Sequence, residues 1–190
     1  MFPFDNSDGS DARFFALLLV PAVLLALYAT RVNLLEASEN LSYPRISLLF
    51  AVKVVHAYYG LFLFTYVFRY GATSSNSLDA LYLAAYFTMI LSWTLFRNEC
   101  LFNFAENKIV DPAYVLGADP YAQTRPMKNF YVLLQTYFYL VALFVVWRFS
   151  TVFKNKLAAV AFAVTLILLA TVNVKRFVTG IKAAAPAQSA

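Results

Sequence analysis

The sequence predicts an all-α fold: a transmembrane helical bundle of five spans, with a short interfacial helix or an exposed helical extension after the third. Three observations carry this reading. First, 62% of the 190 residues are hydrophobic and only 13% are charged, against about 45–50% and about 25% in soluble domains. Second, the apolar residues fall in long uncharged runs, which a chain of this size cannot bury in one water-soluble core. Third, the chain carries 19 Phe, 13 Tyr and 2 Trp, rings suited to facing lipid and to lying at both interfaces.

The first run is Phe14–Thr30, interrupted only by Pro21. It follows a polar segment, residues 1–13, in which Asp5, Asp8 and Asp11 outnumber Arg13. That is the reverse of a basic signal-peptide leader, so this run is expected to be retained. The second run, Ile46–Phe68, holds a single charge at Lys53. The third is uncharged over Ala80–Phe96 and is taken to begin at residue 78. The fourth and fifth are Asn129–Trp147 and Leu157–Val174. Each matches the roughly 17–25 residues that cross a hydrocarbon core of about 30 Å. Helices are required because backbone exposed to lipid must satisfy its own hydrogen bonds. Residues 14–182 then form one membrane domain. The small-residue tail, residues 183–190, is expected to be disordered.

Loop charge sets an expected orientation. The N-terminal segment and the second and fourth connections hold five basic residues, while the first and third connections and the tail hold nine. By the positive-inside rule the N-terminus lies outside and the C-terminus in the cytoplasm. The net charge of +5 is read as this loop bias rather than as a nucleic-acid surface. Lipid is the expected partner, together with other proteins or further copies of the chain. One Cys and one His can form neither an internal disulfide nor a four-ligand zinc site. No metal or cofactor is expected.

Lys53 is the first candidate for chemistry. A Lys at the centre of a span costs about 2.5–3.5 kcal/mol on insertion scales, and such residues usually have a partner and a role. The competing reading is snorkelling toward the start of its helix, roughly 10 Å away. His56 follows one turn later on the same face. The densest polar cluster closes the third span: Arg97, Asn98, Glu99, Cys100, Asn103 and Glu106. If that helix continues past Phe96, then Glu99, Asn103 and Glu106 share one face. Asp111-Pro112 should end it.

Adjacent spans joined by a short connection pack side by side. Counting along two continuous helices brings Lys53 level with Arg97–Glu99. The expected site therefore pairs Lys53 with Glu99, with Arg97 competing, His56 deeper and Asn98 alongside. Gln135 enters the fourth span at similar depth, and Asn173 closes the fifth on the same side. Arg97, Cys100, Asn103, Glu106 and Asn173 are secondary candidates.

The Trp93…Glu99-Cys100-Leu101…Glu106 arrangement resembles a small family of bacterial membrane proteins of unknown function. Those carry Cys-Pro-Leu-Thr followed by Glu at a helix end; this chain lacks the Pro and the Thr. In style it is also similar to small polytopic membrane proteins of algae and their large DNA viruses. The resemblance implies a membrane helix end at this point and brings no activity.

Three functions remain in view. The leading one is a non-catalytic membrane subunit that binds lipids or partners. The alternative is a small oligomeric transporter, channel or proton-coupled protein built on Lys53 and His56. The third is a membrane enzyme acting on a lipid, with Asn98 and Glu99 at the interface. No potassium-filter, nucleophile-elbow or zinc-protease motif occurs.

Overall fold

A computed structural model of the chain describes residues 10–36, 41–71, 76–97, 99–118 and 128–153, with 160, 163–165, 167–168 and 171–172. Among these residues every regular element is a helix: α1 (Ser10–Glu36), α2 (Tyr43–Tyr70), α3 (Asn76–Leu95), α4 (Leu101–Val110) and α5 (Lys128–Phe153). Three stretches are long and apolar enough to cross a membrane, namely Asp11–Leu35, Tyr43–Tyr70 and Ser77–Leu95. Helix α5 carries a shorter apolar stretch, Thr136–Phe149. Most of the expected fifth span and the whole of the expected disordered tail lie outside the described residues.

The helices overrun the apolar runs at both ends, except at the C-terminal end of α3. There Arg97 takes a left-handed conformation, φ 53°, and the Glu99 amide turns back to donate to the Phe96 carbonyl at 2.9 Å. A left-handed non-glycine residue is rare and cannot continue a right-handed helix. Of the two arrangements open to this segment, continuation of the third helix past Phe96 is not the one found: α3 stops at Leu95, and a separate ten-residue helix begins at Leu101. Asn103 and Glu106 share a face of α4, whereas Glu99 precedes it.

Other ends follow local rules. Pro44 sits in the first turn of α2, where a missing N–H costs nothing. Asp111-Pro112 ends α4 as expected. The Asp111 carboxylate accepts from the Ala113 amide at 2.8 Å, and Gly117 at φ 76° completes the next turn.

The chain divides into two compact units, Met1–Ser77 with Leu101–Ala118, and Leu78–Cys100 with Asp119–Ala190. In the first, α1 and α2 run antiparallel. The Tyr70 hydroxyl donates to Asp11 at 2.8 Å, Phe14 meets Tyr70 edge to face, and Phe15 lies against Phe62. Leu18, Ala22, Ala26 and Thr30 form the buried stripe of α1, one residue per turn. Small residues there let the two backbones approach closely, which drives helix packing in lipid. Leu17, Val20, Leu24 and Leu27 point away from α2 and are exposed, the pattern of a face turned to hydrocarbon. Helix α4 packs on α2.

In the second unit, α3 buries Leu78, Tyr82, Tyr86 and Ile90, and α5 buries Phe138, Val141, Ala142 and Val145. Asp79 in the first turn of α3 receives both Nε (2.9 Å) and Nη2 of Arg148 near the end of α5. Tyr86, two turns further along α3, interacts with Tyr139 of α5, so the two helices run antiparallel.

Candidate functional site

Lys53 and His56 lie one turn apart on α2, and Glu106 of α4 bridges them. The Lys53 ammonium donates to Glu106 Oε2 at 2.6 Å. His56 Nδ1 lies 2.7 Å from Glu106 Oε1. An ionised carboxylate only accepts, so Nδ1 carries the proton and donates. Lys53 is 5% exposed and Glu106 2%, whereas His56 retains 30%. Phe102, one turn before Glu106, stacks on the imidazole with ring centres 5.2 Å apart and also touches Tyr59.

Glu106 thus meets an ammonium at one oxygen and an imidazole N–H at the other, so the buried carboxylate is paired within the cluster. Asn103 Oδ1, on the same side of α4, is buried with no hydrogen-bond partner among the described residues. No three His, Cys, Asp or Glu side chains cluster to hold a metal among the described residues.

Of the residues singled out in the sequence, Lys53, His56 and Glu106 come together, and Asn103 lies beside them. The carboxylate that closes on Lys53 is Glu106, where Glu99 was expected. The reason is the break at Arg97, which restarts the helix and carries the later carboxylate onto α2. Glu99 is fully buried and belongs to the unit of α3. Arg97 is exposed and Cys100 half-buried. Asn98 and Asn173 lie outside the described residues, as does the side chain of Gln135.

Sequence reasoning missed the Asp79–Arg148 pair. A signal for it existed: in the five-span topology the second and fourth connections lie on one side, and each supplies one member.

No protein-family model matches the chain, and neither the curated proteins nor the solved structures hold a significant match to it.

Proposed function

We propose that this protein is a multi-pass membrane component that works by binding lipids or protein partners rather than by turnover. One observation carries the reading: each unit holds a buried carboxylate that is closed by basic side chains of the same unit. Both oxygens of Glu106 are engaged by Lys53 and His56, and both oxygens of Asp79 by Arg148. A closed ion pair in apolar surroundings holds helices in register. A carrier site, in contrast, needs a charge that can be exchanged for substrate.

Five spans with the N-terminus outside complete the proposal, on the apolar runs and the basic-residue bias. Reporters fused at the two termini test it; both reporting from one side would overturn the topology. Binding is tested by purification from native membrane with identification of what comes along. A stoichiometric lipid or protein, and no ion flux in reconstituted vesicles, is the expected result.

A second reading, a proton-coupled protein, has one observation in its favour. His56 contacts a buried carboxylate within an apolar helix, and intramembrane His and carboxylate groups occur in proton relays. Proton flux abolished by Glu106→Gln would replace the first reading with this one.

A further inference from the structure

The depth of α4 follows from its contacts with α2. The apolar runs of α1 and α2 have their midpoints at Ala22 and Ala57, and the pairs Asp11–Tyr70 and Phe15–Phe62 bring these midpoints to the same level. If α2 crosses the bilayer, that level is the bilayer centre. His56 is one residue from it, and Lys53 is roughly 6 Å from it at about 1.5 Å per residue. Both residues contact Glu106, while Phe102 contacts His56 and Tyr59. Helix α4 therefore starts near the centre and runs antiparallel to α2, reaching the level of about Phe50 at its far end. That level is still within a hydrocarbon core of about 30 Å. A helix lying along the interface would hold Phe102 and Glu106 at one level, outside the apolar part of α2.

Ten residues span only about 15 Å, half the core, so α4 does not cross. In the second unit Asp79 at the start of α3 meets Arg148 near the end of α5; with α3 and α5 both crossing, as the five-span reading has it, the chain between them makes no net crossing.

We infer that α4 is a half-membrane helix, entering from the side of the α2 N-terminus with its own N-terminus at mid-bilayer. Glu106 is then a carboxylate inside the hydrocarbon core, neutralised there by Lys53 and His56. The exposed side chain of Leu101 meets the inner ends of lipid chains. At the turn into α4 the Glu99 side chain is fully buried, as a polar group at such depth requires. The assignment rests on α2 being a span and is independent of whether the protein binds or transports.

Spin labels in vesicles, read by collision with oxygen and with a water-soluble nickel complex, measure the depth. Labels at Leu101→Cys and Val115→Cys, both exposed, are placed in a Cys100→Ser background. Leu48→Cys and Val55→Cys on the exposed side of α2 calibrate the scale. The expected result is Leu101 as deep as Val55 and deeper than Leu48, with Val115 shallower than Leu48. Across α4 itself the depth should change by roughly 10–14 Å. Native Cys100, labelled in the unsubstituted protein, should match Leu101, so the result does not depend on tolerance of the substitutions. Leu101 and Val115 at equal depth, or Leu101 in water, would overturn the assignment. A shallow Val55 would instead locate the error in the placement of α2.

Discussion

Asp79 and Arg148 meet near the ends of their helices, whereas Lys53, His56 and Glu106 meet near the middle of α2. The first pair uses a guanidinium, which keeps its charge and matches a carboxylate prong for prong. The second uses an ammonium and an imidazole, each making a single contact to one carboxylate oxygen. Arg148 is also steadied by lying over the Phe144 ring, while His56 is stacked on Phe102 and partly open. The contrast separates a two-pronged staple from a cluster bridged by one carboxylate. A charge near a helix end can reach water if its partner is lost. From mid-helix Lys53 must extend along roughly 10 Å of α2 to do so, so loss of its partner should cost more.

The largest expected effect follows from that difference. Glu106→Gln leaves Lys53 buried without its counter-charge, at about 3–5 kcal/mol. Asp79→Asn, with Arg148 close to a helix end, should cost about 1.5–3 kcal/mol. Thermal unfolding in detergent compares them, and an equal or reversed order would erase the distinction between the two sites.

Coupling comes next. Lys53→Met alone strands the Glu106 carboxylate, but in Glu106→Gln it removes a stranded ammonium. The double variant should therefore be more stable than the sum of the single losses by about 0.5–3 kcal/mol. Additive losses would mean that the 2.6 Å contact carries no net energy.

The smallest effect is expected at Asn103→Leu. Its buried Oδ1 makes no hydrogen bond among the described residues, and replacing an unsatisfied polar group by an apolar one is close to neutral or stabilising. A loss above about 1 kcal/mol would reveal a role for this amide in the cluster.

Much of the architecture was legible because it depends on sums over many residues. Helix and membrane follow from apolar runs of some twenty residues, in which no single position decides the outcome. Lys53 and His56 stood out because a charge and an imidazole in such a run are costly wherever they point. The end of α4 was readable from Asp111-Pro112, since proline excludes helix in the residue before it. Asp79 and Arg148 looked like ordinary loop charges because each was judged beside its own helix end.

The partner of Lys53 was decided by tertiary structure. Arg97 adopts a left-handed conformation that its side chain does not announce, since glycine or asparagine normally marks such a position. That one residue ends α3, restarts the chain as α4, and replaces Glu99 by Glu106 as the carboxylate on α2. Composition and periodicity are local properties of the chain, so they fix which segments are helical and apolar. The meeting of residues 53 and 106 depends on how the chain turns between helices, and a single backbone angle there reassigns every contact beyond it.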